Sequence, residues 1–470
     1  FRTWYPVLGP LSKNHLVISV SLRHFFPEHW DAVGDDYKMA QHVADTIAFI
    51  EQVRPAPVDL MGHSRGGHIA FRVAQTRPDL LRKLLVDYGA KNPGVRIQIS
   101  VGSATAELQR KYLTTLLNAK DSTYDAFILD ITSLAQFAAA GWIEPLNKYV
   151  GDDAEQFFAE YLPVYREANW FDNRLVALPA YSDAMFMYYR KDLLEQYGIA
   201  APETWDELAS AARTILSAKN DANLQGLSIQ GAPIEGAVCT FLLPYWSQGS
   251  DVIDHNGKLN FNREHATNGL QLWRDLVAQG VIKKTVAEIK TGDTLNDFKA
   301  GKAIFAINWG FAWDRFQRDA DSRVRNNIGV IRLPKMTGGE HASCIGGYQW
   351  AVSAFSRHKA ESAALVRFLG SVEVSNHLSL KGGLLPTRTA LYRDEALNTQ
   401  IPWLPAAEPV LLTAKSRPVT PRYAEVSNAV RSATSAVLGG SMSVTEGVND
   451  IERRLTRILR SANPTGVVQP

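Results

Sequence analysis

The sequence predicts an α/β protein, and three observations carry that prediction. Short apolar runs at 58–61, 95–99 and 124–129 read as strands, and stretches with apolar residues at helical spacing, at 68–75 and 106–118, follow the first two. Strand, helix, strand at this separation implies a parallel sheet. A length of 470 residues is sufficient for two or three domains with well-filled cores.

Taken in order, Val17-Ile18-Ser19-Val20 reads as a strand, 35–53 as a helix and 58–61 as a short buried strand. Gly62-His63-Ser64-Arg65-Gly66-Gly67 follows, a tight strand-to-helix turn that needs small neighbours around a serine. Pro78 interrupts the next helix, leaving 79–88 as a second piece. The Gly- and Pro-bearing stretch 89–94 is the expected seam. Beyond it, 95–99 alternates as a strand, 106–118 is a helix, 124–129 returns as a buried strand ending at Asp130, and 133–140 and 146–149 continue the helical cover. Thr204 with Glu207 three residues on is a capping box ahead of 208–216. A surface helix packed on one face is expected over 444–459, and 461–470 reads as a tail.

Composition removes several function classes. Lys plus Arg at 50 against Asp plus Glu at 48 leaves no basic field for nucleic acid or an anionic membrane. The longest apolar stretches, 134–143 and 237–246, are shorter than the roughly 20 residues of a spanning helix. Cys239 and Cys344 are too few for a disulfide scaffold and lack metal-ligand spacing, so they read as two small buried hydrophobes. No metal and no cofactor is called for. The sequence opens at Phe1 and shows no secretory signal, which a processed or truncated start would also explain.

Residues 1–86 resemble a truncated piece of the α/β-hydrolase family, with Ser64 on the nucleophile elbow. The family's upstream His-Gly loop has no counterpart, and the pattern stops near Val86, where acid and histidine strands would follow. Ser64 thus lacks an identifiable base, and a serine hydroxyl without a positioned histidine is a weak nucleophile. A serine hydrolase through Ser64 stays open as the contrasting reading, as does a fusion without function.

From 87 to 460 the chain resembles the extracellular solute-binding proteins of bacterial ABC importers, in the branch that takes maltose, trehalose and related oligosaccharides. The motifs, in order, include Asn92-Pro93-Gly94-Val95, Gly141-Trp142-Ile143-Glu144-Pro145-Leu146, Leu178-Pro179-Ala180-Tyr181-Ser182-Asp183 and Pro202-Glu203-Thr204-Trp205. They continue with Asn308-Trp309-Gly310-Phe311, Gly346-Gly347-Tyr348-Gln349-Trp350 and Arg417-Pro418-Val419-Thr420. The resemblance implies a two-lobed periplasmic-binding-protein fold of type II with crossing hinge segments, preceded by the α/β-hydrolase-derived fragment. It implies crossings near Ser182, near Asn308 and after Leu369. Lobe one is then 58–181 with 309–370, and lobe two 182–308 with 371–460, leaving 1–57 as surplus. The strand, turn and helix from 58 onward would replace the family's opening unit in lobe one. The implied role is a non-enzymatic, monomeric, periplasmic or extracytoplasmic subunit that binds a di- or oligosaccharide and delivers it to an ABC permease.

A sugar offers hydroxyls in many directions and flat C–H patches, so its site needs forked polar groups and aromatic faces. The resemblance nominates Asp130, Tyr181, Asp183, Trp309, Gly347, Tyr348 and Arg417, with Arg110 on the first helix beyond the seam. Several of these positions have a plainer reading. Asp130 caps the next helix, Gly347 is a turn with positive φ, Arg417 is an ordinary charge, and Trp313, four residues past Trp309, is core.

Overall fold

The computed structural model describes residues 79–100, 106–254 and 257–460. Ser64 and its turn, the strands expected at 17–20 and 58–61, the surplus 1–57 and the tail 461–470 lie outside the described residues. Two compact units divide between Leu108 and Gln109.

In the first unit, helix α1 spans Asp79–Lys91 among the described residues. It ends in a turn: Asn92 Nδ2 donates to Tyr88 O at 2.8 Å, and Gly94 takes φ +99°, a backbone region that glycine enters without a steric penalty. The strand expected at 95–99 is absent; the segment has no regular structure, and Ile99 is exposed. Alternation alone does not make a strand without a neighbour to take its hydrogen bonds.

The second unit contains most of helix α2 (Ala106–Asn118), whose Leu113 and Leu117 pack with Phe127, Leu129 and Phe137. Strand β1 is Ala126–Asp130, followed by a short helix α3 (Leu134–Ala139) and helix α4 (Tyr165–Asn169). A small hairpin, β2 (Trp170–Phe171) and β3 (Arg174–Leu175), leads into the long β4 (Leu178–Arg190). Then come α5 (Trp205–Lys219), β5 (Gln225–Ser228), α6 (Glu235–Ser247), α7 (Arg263–Ala278), β6 (Ala303–Trp309), β7 (Ile328–Ile331) and β8 (Ser343–Val352). The chain closes with α8 (Lys359–Leu369), α9 (Val372–Gly382), α10 (Leu404–Leu412), β9 (Ala414–Lys415), α11 (Tyr423–Leu438) and α12 (Val444–Arg460). The capping box at α5 forms as the sequence predicts: Thr204 Oγ1 accepts from Glu207 N, and the Glu207 carboxylate accepts from Thr204 N.

The strand order is β1-β8-β4-β6-β5, with β7 also on β4 and β9 on β8. The sheet is mixed, which corrects the parallel sheet expected from 95–129. The β1·β8, β8·β4, β4·β6 and β4·β7 pairs are antiparallel, and β5·β6 and β8·β9 are parallel. Among the described residues, β1 pairs with β8 alone.

Strand β4 explains the two lobes. Its first half pairs with β8 as far as Ala184↔Ile345, and its second half pairs with β6 from Met185↔Trp309. Both faces of the second half are buried. Met185 and Met187 enter one core; Ala184, Phe186 and Tyr188 enter another. Alternate side chains point to opposite faces of a strand, so a strand between two cores reads as an unbroken apolar run. The first core, lobe two, gathers α5, α6, α7, α11 and α12 around Trp205 and Trp273. The second core includes Tyr161, Tyr165, Phe298 and Phe316 and runs along both halves of β4, with a satellite around Phe137.

Val426 lies in the core around Trp205 and Trp273, whereas Leu385, Leu391, Trp403, Leu404, Val410 and Leu411 lie in the core that also holds Leu146, Tyr161 and Phe186. Trp313 stacks on Trp403 at 5.1 Å beside the same core, in keeping with the plainer reading of that tryptophan.

Candidate functional site

The register change in β4 is where the nominated residues meet. The two ladders part there, and neighbouring backbone must turn away, so polar groups and glycines replace the apolar run. Tyr181 lies opposite Tyr348 with the rings stacked at 5.8 Å, and Asp130 at the end of β1 faces Tyr348 from the other side of β8. Gly347, at φ +96°, lies opposite Ser182, and a Cβ on it would stand 2.5 Å from Tyr181 O. Gly346 admits the Trp309 ring, since a Cβ there would fall 2.6 Å from ring carbon Cζ3.

Asp183 is buried and anchors the crossing. Its Oδ1 accepts from Ala184 N at 2.8 Å and from Gly310 N, just past the end of β6, at 2.6 Å. The Tyr165 hydroxyl accepts from Asp183 N at 3.2 Å and donates to Gly346 O at 3.1 Å, so one buried phenol ties α4 to both crossing strands. Burial pushes the Asp183 carboxyl up from its ordinary 3.8 to about 7, against the backbone N–H donors of Gly310 and Ala184 and the charge of Arg417, with Asp130 adding to the rise.

That shift gives a testable sign. Between about pH 3.8 and about 7 the folded chain holds a proton on Asp183 that the unfolded chain has released, so stability falls as pH rises. The contribution is complete below the lower value and gone above the upper one. Asp183→Asn keeps an acceptor for both N–H groups and should flatten this slope in urea midpoints taken across the window. Equal slopes in the two proteins would refute the assignment.

Arg417 is buried and joins the lobes. Its Nη1 donates to Glu235 Oε1 at 2.9 Å on lobe two, and its Nη2 donates to Ile345 O at 3.3 Å on β8 and lies 4.0 Å from Asp130. The guanidinium is 5.8 Å from the Trp309 ring, while Nε is buried without a partner. Glu235, in the first turn of α6 where a carboxylate is favoured, also accepts from Ser427 Oγ at 2.7 Å and from the Tyr423 hydroxyl. Asp130 does what its plainer reading says as well: it caps the turn Ile131–Ser133, accepting from Thr132 N at 3.0 Å and from Thr132 Oγ1 at 2.6 Å. A narrow cavity of about 10 Å³, room for about one water, opens beside them between Thr132, Ala135, Ile345, Ser416 and Arg417. A larger surface concavity of about 390 Å³, at Glu446, Asn449, Asp450 and Arg453, holds none of the nominated residues.

Seven of the nominated residues are linked in this way; Arg110 is not. Its Nη1 reaches Gln136 Oε1 on α3 at 3.5 Å, and no hydrogen bond or ion pair joins it to the other seven. Sequence reasoning missed Tyr165, Glu235, Gly310 and Ser416. Glu235 left a signal as an acid opening an apolar helix, and Gly310 stands in the Asn308-Trp309-Gly310-Phe311 motif; Tyr165 and Ser416 left none. The assembly suits binding: aromatic faces, carboxylates and a fork of donors converge, and among the described residues no group of three or more His, Cys, Asp or Glu could hold a metal ion. No helix among them is long and apolar enough to cross a membrane.

Two lobes joined by crossing strands, with such a set of groups at the crossing, define a hinged ligand-binding protein. The chain belongs to the bacterial extracellular solute-binding protein family, whose profile matches residues 74–375. A probable ABC transporter-binding protein of Deinococcus radiodurans is 28% identical over 385 residues, 79% of this chain and 89% of that protein. The mannitol-binding protein of Pseudomonas aeruginosa is 22% identical over 377 residues, 75% of this chain and 84% of its own. Among solved structures, maltose-bound MalE3 of T. maritima has a TM-score of 0.72 at 30% identity, covering 81% of this chain and 96% of that one. Separately, the (E)-2-((N-methylformamido)methylene)succinate hydrolase of Acinetobacter baylyi is 35% identical over 87 residues, 18% of this chain and 32% of that enzyme.

Proposed function

We propose that the chain is the substrate-binding component of an ABC sugar importer, working outside the cytoplasm and capturing a di- or oligosaccharide of the maltose and trehalose class by hinge closure. The observation that carries this reading is the convergence at the β4 register change of Trp309, the Tyr181–Tyr348 stack, Asp183 and Arg417, drawn from elements of both lobes. Stacked rings offer flat apolar faces to a pyranose, and the carboxylates and the free Nε of Arg417 offer hydrogen bonds to its hydroxyls. Closure brings Asp130 of lobe one toward the Arg417–Glu235 pair, and the closed form is the one a permease would recognise. The maltose-bound MalE3 likeness supports a glucan ligand; the mannitol-binding relative favours a second reading, a linear polyol.

Tryptophan fluorescence separates these readings. Titration with maltose, trehalose and longer glucans should give a saturable change that mannitol does not give, and Trp309→Phe should remove most of the signal while the fold is kept. Saturation by mannitol alone would select the polyol. No response to any of them, together with ester hydrolysis lost in Ser64→Ala, would transfer the function to the elbow serine.

A further inference from the structure

Cys239 and Cys344, the chain's two cysteines, are 105 residues apart in sequence, yet their Sγ atoms are 2.8 Å apart and both side chains are fully buried as free thiols. A disulfide sulfur pair stands at about 2.05 Å, so a further approach of under about 1 Å would join them. We propose that Cys239 and Cys344 form a disulfide that staples helix α6 to strand β8 beneath Arg417. The placement gives the bond a purpose. Cys239 lies one helical turn beyond Glu235, and Cys344 immediately precedes Ile345; the Glu235 carboxylate and the Ile345 carbonyl are the two acceptors of the Arg417 guanidinium. Joining the two elements fixes the distance between those acceptors, and hence the seat of the arginine that links the lobes. The setting expected of an extracellular family is one in which disulfides form and persist.

The chemistry needs an oxidant, which is a small disulfide such as oxidised glutathione or the disulfide of a thiol oxidoreductase. One cysteine thiolate attacks it, forming a mixed disulfide and releasing one thiol. The second cysteine thiolate then displaces the other half as a second thiol, so one disulfide is consumed, one is formed, and each cysteine proton leaves on a released thiol. Burial pushes the Cys239 thiol well up and keeps it protonated once α6 is packed, so the exchange belongs to folding, before the core closes.

The test uses the full chain, unfolded and reduced, then refolded in a buffer of oxidised and reduced glutathione. The refolded protein is quenched with acid, denatured, alkylated with N-ethylmaleimide and weighed intact. The expected result is a monomer that takes no maleimide and has lost two hydrogens, and that takes two maleimides after treatment with a reductant. The thermal midpoint should fall on reduction in the wild type and stay unmoved in Cys239→Ala/Cys344→Ala. Two maleimides without reductant, a retained glutathione adduct, or a wild-type midpoint indifferent to reduction would overturn the proposal. Refolding in the tube makes this result independent of the sugar titration.

Discussion

Gly347→Ala should destabilise the protein by about 2–5 kcal/mol, the sum of a left-handed backbone forced on an L side chain, ~1–2 kcal/mol, and overpacking against atoms that cannot retreat, ~1–3 kcal/mol. At φ +96° the added methyl would stand 2.5 Å from Tyr181 O and 3.1 Å from the Tyr165 hydroxyl. Neither neighbour is free to move. Tyr181 is held in the β4·β8 ladder opposite Tyr348, and the Tyr165 hydroxyl is committed to Gly346 O and Asp183 N. Gly338→Ala is the internal control, since its φ is +77° and no atom lies within 4 Å of the new methyl. It should cost only the backbone share, about 1–2 kcal/mol. Urea unfolding of both variants measures the difference, with an unchanged m-value confirming that the folded state is otherwise intact. The strain also falls on Tyr348, the next residue, so sugar affinity should drop in Gly347→Ala and not in Gly338→Ala. Equal midpoints for the two variants would show that β8 can shift away from Tyr181, and that the crossing is softer than its hydrogen bonds imply.

The parts of this fold legible in the sequence are those decided locally. The capping box at Thr204 and Glu207 and the amphipathic patterns of α2 and α12 concern neighbours a few residues apart, and all form as read. What failed depends on distant partners. Val95, Ile97 and Ile99 alternate as a strand should, but no strand among the described residues pairs with them, so the pattern has no ladder to stabilise it. Core membership beyond Leu369 depends on distant partners too. Nothing in 372–412 reveals which of two apolar cores its side chains enter; that is settled by packing of Trp403 on Phe186 and of Leu404 and Leu411 beside it. The site was legible only through resemblance. Its motifs marked Asp183, Trp309, Gly347 and Arg417, whereas Glu235 and Tyr165, which hold Arg417 and Asp183 in place, carry no motif and act through contacts 182 and 18 residues distant in sequence.

Arg417→Ala should produce the largest loss among the side chains of the site, in stability and in ligand response together. The wild-type guanidinium, 5% exposed, satisfies Glu235 Oε1 and Ile345 O and is the cation nearest Asp130. Truncation leaves Glu235 with only the Ser427 and Tyr423 hydroxyls and strips Ile345 O of its side-chain donor. Breaking a fully buried pair costs about 3–5 kcal/mol; because Glu235 is 36% exposed and water can reach it, about 2–4 kcal/mol is expected here. Arg417→Lys should recover little, because one ammonium on a flexible stem cannot reach the carboxylate and the carbonyl with the spacing of a planar fork. Glu235→Gln should cost less than either, since the amide oxygen still accepts from Arg417. A second readout separates a site arginine from a merely structural one. The Arg417 charge favours the ionised form of Asp183, so without it the fall of stability with pH should extend to higher pH than in the wild type. Urea midpoints of the three variants across the neutral range, with tryptophan titrations alongside, measure both. If Arg417→Ala kept the wild-type pH profile and the wild-type sugar response, the guanidinium would be an ordinary buried charge, and the link it makes between Glu235 and Asp130 would have no part in closing the lobes.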